Sequence, residues 1–435
     1  MSFTNTFRSF QSRNYSLFFS GQLVSRIGTW MQRTAVIWVM YTMTESVFMI
    51  GLTTFAEQFP SFILSLAGGI AADRYNKQKL VMITTIVAAI QATALAVLFI
   101  TGNHTVWMIL ALSVLLGIAN AFEVPARQAM VNDLIHNKED LPNAIAINSS
   151  LNNLSRLLGP ALSGFVLARY GADVCFAGNA LSFIAVIASL SMMRLPKTKL
   201  TITKNKLSTD FKDGLTYVRK HLEIGNTLLV LTLVCLLVNT YNTLIPVYAK
   251  DIFNGNAATY GYLSAFIGLG AVISTLFIAS RRPGYNLKKV LRNNIIIVGV
   301  SLIVFSYVQY LPVNLALATL CGFGTMSVIP ICNTIIQMAS TPSMRGRAIS
   351  FYTMAAFGTI PIGSLLVGWL SNYIGIENCI LAQGIIALVI AAGFSRFLSS
   401  DMKKAKLYSN GTQRNAAGNR PLTERAETPA GAGKK

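Results

Sequence analysis

Acidic residues are scarce in this sequence, with 16 Asp and Glu in 435 residues against 36 Lys and Arg. Histidine is scarcer still: His104, His136 and His221 each fall in a loop between apolar stretches. No nucleophile stands beside a partnered base, and no His, Cys or carboxylate cluster has metal-ligand spacing, so the pattern points away from an enzyme, a cofactor or a metal. The five cysteines, Cys175, Cys235, Cys321, Cys332 and Cys379, are scattered in or beside apolar segments. That scatter excludes a disulfide framework and fits small hydrophobic packing residues. Charged residues make up only 12% of the chain, where an ordinary soluble domain carries about 25%. What the sequence has in quantity is apolar side chains, at 53%.

Those apolar residues come in long runs. About 20 residues cross a hydrocarbon layer of roughly 30 Å, and stretches of that length recur at 15–41, 47–71, 79–101, 105–124, 144–168 and 173–194. After a polar interval they resume at 225–247, 258–279, 290–310, 313–335, 347–371 and 376–398. The fold class expected is an all-α membrane protein of twelve transmembrane helices. Its parts are a six-helix bundle at 1–194, a cytoplasmic linker at 195–224, a second six-helix bundle at 225–400 and a basic tail at 401–435 whose polar composition predicts disorder. Within the linker, Phe211 to His221 reads as amphipathic, with Leu215 and Val218 on one face.

A net charge of +20 in a soluble domain would suggest nucleic acid, so the placement of the bases decides. Arg26, Arg33 and Arg156 lie within apolar stretches, Arg169 and Lys250 in loops on one side, and every other Lys and Arg on the side holding both termini. This is the positive-inside pattern of an even number of spans with both termini cytoplasmic. It makes the lipid bilayer the partner and excludes nucleic acid. No small-residue cleavage site follows the first apolar stretch, which therefore reads as a span and not as a signal peptide.

The two groups of six are also related in sequence. An offset of 204 residues superposes Ala144 on Ala348, Gly159 on Gly363, Gly164 on Gly368, Gly171 on Gly375 and Cys175 on Cys379. Parallel six-helix repeats about an axis along the membrane normal are a transporter plan, with the substrate site between the halves near mid-membrane.

The second span ends in Gly69-Ile70-Ala71-Ala72-Asp73-Arg74-Tyr75-Asn76-Lys77-Gln78-Lys79, which resembles the signature loop of the major facilitator superfamily. Asn76 stands where that signature has a second Gly, a change tolerated because Asn enters the left-handed region. The resemblance implies that Gly69, Asp73, Arg74 and Lys77 form a gate whose charges lock the cytoplasmic ends together in the outward-facing state. The matching loop of the second half, Ser280-Arg281-Arg282-Pro283-Gly284, lacks the acid, so the lock is expected to be asymmetric. Gly28-Thr29-Trp30-Met31-Gln32, Pro125-Ala126-Arg127-Gln128-Ala129, Arg156-Leu157-Leu158-Gly159-Pro160-Ala161-Leu162-Ser163-Gly164 and Arg345-Gly346-Arg347 extend the likeness. They resemble the bacterial branch of proton-driven efflux transporters that includes siderophore exporters, such as that for enterobactin, and drug permeases. The resemblance implies a monomeric exporter of the bacterial inner (plasma) membrane. Gly159, Pro160 and Gly164 partly match the fifth-helix antiporter motif; a packing kink is the alternative, since small residues let helices approach and Pro bends them.

Ionisable side chains deep in a bilayer are costly and are functional candidates by default. In the first span Gln22, Ser25, Arg26, Thr29, Gln32 and Arg33 follow steps of three and four, and Ser149, Asn152, Asn153, Arg156 and Ser163 do the same in the fifth. Both stripes are expected to face a substrate pathway. Glu57 and Glu123 are the candidate proton carriers, at different depths, because burial favours a protonated carboxyl and a nearby guanidinium favours the carboxylate. The alternatives are a structural acid at Glu57 and a static i, i+4 pair of Glu123 with Arg127. Arg26, Arg33 and Arg156 are candidates for tuning such an acid, for gripping an anionic substrate, or for structural pairing. The second half offers no acid inside its spans; Asn239, Asn242, Asn333 and Gln337 are its pathway candidates, with Asn239, Asn242, Thr243 and Pro246 on one helical face. Trp30, Trp38, Tyr241 and Tyr352 are candidates to stack on an aromatic ligand or to pack the core.

These readings converge on a secondary transporter that exports a small molecule, a siderophore, drug or amphiphilic metabolite, against inward protons by alternating access. The alternatives are an uncoupled facilitator or lysophospholipid flippase and a membrane sensor without turnover.

Overall fold

A computed structural model describes residues 8–135, 138–193, 207–280, 286–342 and 344–395. His136, the basic run from Arg194 through 206, the loop at 281–285 and the tail at 401–435 lie outside the described residues. The described residues fold into helices and turns, without a strand. The first group is α1 (Arg13–Thr44), α2 (Val47–Arg74), α3 (Lys77–Ile100), α4 (Val106–Leu134), α5 (Leu141–Arg169) and α6 (Ala172–Met192). A short helix, α7 (Leu207–Lys220), occupies the linker where amphipathic periodicity is expected. Then come α8 (Leu222–Ile252), α9 (Ala257–Ala279), α10 (Leu287–Tyr307), α11 (Leu311–Ala339), α12 (Arg345–Ile374) and α13 (Ile376–Ser395). Met1–Ala391 and Ala392–Lys435 are separate compact units.

Ten of the described helices are long and apolar enough to cross a membrane. Their outward faces carry large apolar side chains such as Ile63, Leu66, Ile90, Val97, Leu181, Leu229, Leu276 and Val389, an amount of exposed apolar surface that water does not tolerate on a monomer. The two long helices below that apolar standard are α1 and α5. These are the helices that carry the polar stripes of Gln22 to Arg33 and of Ser149 to Ser163.

Local rules place the ends. Asn76 caps α3 by accepting from the Lys79 N–H at 3.0 Å, and Asn286 caps α10 by accepting from the Lys289 N–H at 3.1 Å. Asn76 has φ −62°, so its presence in the signature loop reflects N-cap chemistry and not the left-handed conformation expected from the sequence. Gly171 and Gly375, paired by the 204-residue offset, both have positive φ, +100° and +81°, where a Cβ would be strained.

Helix α1 packs on α5 and α6, α2 on α4, α9 on α11, and α10 on α11. The two groups meet along two seams, α5 against α9 and α2 against α12. Offset partners serve both: a Cβ at Gly164 would lie 2.7 Å from Gly261 Cα, and one at Gly368 would lie 2.8 Å from the Val47 carbonyl. Contact this close leaves no room for side chains.

Further links between the groups lie toward the end opposite the basic loops. Tyr41 donates to Asp251, Lys250 pairs with Glu45 at 2.9 Å and lies over the Tyr41 ring, and Trp38 stacks on Tyr260 at 5.8 Å. At the basic end Asp73, Arg74 and Gln337 are exposed. The ion pairs of Arg8 with Asp140, Lys77 with Asp133 and Lys288 with Glu223 at the basic end each lie within one group.

Candidate functional site

The site begins with how closely α1 can approach its neighbours. A Cβ on Gly159 would meet Trp30 Cβ at 2.4 Å, and one on Gly28 would meet Asn179 Oδ1 at 2.7 Å. These two glycines press α1 against α5 and α6 and so fix Trp30. Gln32 turns away from the crevice: Asn179 donates to it at 2.8 Å and it donates to Gln91 at 2.9 Å. Its place on the expected stripe is thus a buried polar network inside the first group. Gln91 and Asn179 carry no motif; their only signal in the sequence is that each stands nearly alone in an apolar helix.

The rest of the stripe is charged. Arg33 donates to Glu57 Oε1 from Nε at 2.8 Å and from Nη2 at 2.5 Å, with Glu57 buried. Arg26 donates from Nε to Gln22 at 3.1 Å and from Nη1 to Asn152 on α5, while its Nη2 is buried without a partner. Thr29 bonds back to the Ser25 carbonyl at 2.8 Å. Glu123 accepts from Arg127 Nε at 2.5 Å, one turn along α4, and also interacts electrostatically with Arg26. Helix α4 continues to Leu134, beyond the expected apolar run, so three turns of helix follow Glu123. Glu57 and Glu123 do occupy different levels, because the Glu57 carbonyl abuts Gly117, six residues before Glu123.

Trp30 joins two of the cations. The guanidiniums of Arg33 and Arg156 each lie 5.0 Å from its ring centroid, a geometry in which the ring's negative face stabilises cations by about 0.5–2 kcal/mol. Arg156 also donates to Met326 Sδ on α11 and interacts electrostatically with Tyr241 on α8. Asn153 donates to Thr275 on α9 at 3.2 Å. Residues of both groups therefore converge on Arg156, a position that periodicity alone could not connect to Met326.

Helix α8 is not continuous. It widens into a π turn over Val234–Val238, tightens to 3-10 over Asn239–Thr243, and widens again over Tyr248–Ile252. The face expected to join Asn239, Asn242, Thr243 and Pro246 falls in that irregular stretch, where Asn239 and Asn242 lie one 3-10 turn apart. Asn239 Oδ1 is buried without a partner and its carbonyl accepts from Asn242 at 3.0 Å. Helix α8 also carries Glu223 and Asp251 at its ends, acids that the shorter expected span omitted. Helix α12 has a π turn at Met354–Gly358, facing α2. Irregular turns of this kind concentrate at functional positions. Asn333 and Gln337 bond to each other at 3.0 Å on α11, closer to the basic end than Arg156.

Of the expected gate, Lys77 pairs with Asp133 at 2.7 Å within the first group. Asp73 and Arg74 form no ion pair among the described residues, and nothing lies within 4 Å of a Cβ built on Gly69. Among the described residues no group of His, Cys, Asp and Glu is arranged to hold a metal.

Known proteins were compared with this architecture. The family described as transmembrane secretion effector matches residues 4–424. The staphyloferrin A transporter of Staphylococcus aureus is 27% identical over 87% of this chain and 94% of its own length. Macrolide efflux protein A of Streptococcus pyogenes is 21% identical over 86% and 93%. Among solved structures, the nucleoside transporter NupG superposes with a TM-score of 0.72 at 15% identity, covering 87% of this chain and 99% of that one. Polar and cationic side chains gathered between two packed groups of helices agree with a match spanning nearly the whole chain: it is a multi-pass membrane transporter belonging to the transmembrane secretion effector family of the major facilitator superfamily.

Proposed function

We propose that the protein exports a small organic molecule across the bacterial inner membrane by alternating access, in exchange for inward-moving protons. Twelve helices span the bilayer as two six-helix halves with both termini cytoplasmic, and a single chain is the working unit. The twofold correspondence of the α5–α9 and α2–α12 seams supports the two halves. The paired basic loops at one end support the orientation. Export is favoured by the relatives, a siderophore transporter and a macrolide efflux protein.

The observation that carries the coupling is the Arg33–Glu57 pair, a buried carboxylate held by a guanidinium that also touches the ring beside Arg156. Protonating Glu57 releases Arg33 and changes the charge facing the crevice. A proton and a substrate that bind the two end states with different affinities then exchange. Glu123, tied to Arg127 and close to Arg26, is the second carrier candidate.

Glu57→Gln and Glu123→Gln should both insert normally. In proteoliposomes with an imposed pH gradient at least one should lose proton-driven flux by about tenfold, mid-range for coupling free energies between sites. Wild-type coupling in both variants would remove these carboxylates from the mechanism. Asp73→Asn acts elsewhere: turnover should fall several-fold with binding unchanged, because the side chain is exposed here and engages only when the basic end shuts. A ligand-binding assay run beside flux separates the two effects, and weakened binding would count against a gate.

A further inference from the structure

The charges inside the crevice do not balance. Among the described residues, Arg26, Arg33, Arg127 and Arg156 share two carboxylates at these levels: Glu57 pairs with Arg33, and Glu123 pairs with Arg127 while also interacting electrostatically with Arg26. Arg156 has a thioether and an aromatic face for partners and no carboxylate within ion-pair distance. Arg26 has two neutral amide oxygens, and its Nη2 is buried with nothing to donate to. Near Arg156, the Tyr241 hydroxyl lies beside Thr325 and Asn242 without a well-formed hydrogen bond to either. Unpaired buried cations and donors are costly, and the natural remedy is a ligand that brings the missing negative charge.

We propose that Arg156, with Trp30 at its back and Tyr241 beside it, and the free Nη2 of Arg26 form a binding site for a small organic anion carrying two or more carboxylates. The planar guanidinium of Arg156 takes one carboxylate through paired N–H donors, and Arg26 takes a second. Arg26 reaches Asn152, one turn along α5 from Arg156, so the two groups of the ligand are held about 6 Å apart along that helix, on the side of the crevice that faces α8. Arg33 is not the grip, because Glu57 already holds it. The inference rests on the transport reading for its purpose but not for its geometry. It adds an energetic term: an anion leaving a cell with an inside-negative potential moves electrically downhill, in the same electrical direction as protons entering.

The test uses the purified full-length protein in nanodiscs, with carboxyfluorescein, an aromatic polyanion, and ethidium, an aromatic cation, as probes read by fluorescence anisotropy. Carboxyfluorescein should bind and ethidium should not. Arg156→Gln should weaken carboxyfluorescein binding by about 10- to 100-fold, the range for a lost hydrogen bond to a charged group, with partial recovery in Arg156→Lys. Arg26→Gln, which does not touch the Trp30 cluster, should weaken it independently, so a misfolded Arg156 variant would leave the proposal open to refutation. Equal binding of both dyes, or unchanged affinity in both glutamine variants, overturns the anion site. Flux in proteoliposomes is scored separately. Anion binding without flux of either dye keeps the site and counts against the transport reading. Ethidium flux without carboxyfluorescein binding does the reverse.

Discussion

Replacing Gly261 by leucine is expected to stop transport by preventing the end opposite the basic loops from closing. A Cβ at this position would meet Gly164 Cα at 2.6 Å and the Pro160 carbonyl at 2.8 Å, both backbone atoms of α5 that no side-chain rotation can move. Overpacking of this kind costs about 3 kcal/mol when the backbone must separate, and that cost falls on the closed state alone. A shift of that size changes the ratio of the two end states by about 100-fold. The measurement is flux, together with the reactivity of a cysteine at Trp38 toward an impermeant maleimide added from the Gly261 side. Reactivity should rise as flux disappears, because the Trp38–Tyr260 stack lies on the same seam. Normal flux would show that α5 and α9 need not touch for the cycle to run.

The second large effect is on stability. Glu57→Ala leaves Arg33 without its carboxylate partner, and an abandoned partly buried charge costs about 3 kcal/mol, at the low end of the usual range because the Arg33 side chain keeps 32% of its exposure. Thermal unfolding in detergent should show the loss. Adding Arg33→Met to Glu57→Ala should recover most of it, since an apolar side chain of similar length removes the orphaned charge. A double variant as unstable as the single one would mean that Glu57 supports the fold through something other than this pair.

How much of this was legible in the sequence depends on the range of the interaction. Helix positions followed from apolar run length, and the polar stripes of α1 and α5 did lead to Arg33, Arg26, Asn152 and Arg156, because a charge in an apolar helix has few places to go. The end of α4 was not legible, because Pro125 and the polar residues after it resemble a helix end, while the backbone runs on to Leu134. The break at Asn239–Thr243 was hidden for a different reason. Its residues keep step with a regular helix in sequence, and the departure arises where α12 packs against it: a Cβ on Gly363 would lie 2.0 Å from the Leu236 carbonyl. The Tyr41–Asp251 and Arg156–Met326 contacts join residues far apart in the chain, and periodicity carries no information on such pairs.

The polarity of α1 also bears on how the chain is made. Helix Arg13–Thr44 leaves the ribosome before its packing partners, yet it falls short of the apolar content of the ten helices long and apolar enough to cross a membrane. Its chief packing partners, α5 and α6, are synthesised last among the first six. At about 5–20 residues per second, roughly ten to thirty seconds separate the emergence of α1 from that of α6. Glu57 follows Arg33 by 24 residues and so arrives within about five seconds, whereas Arg26 waits 126 residues for Asn152, so the polar groups of α1 are satisfied in two stages during synthesis.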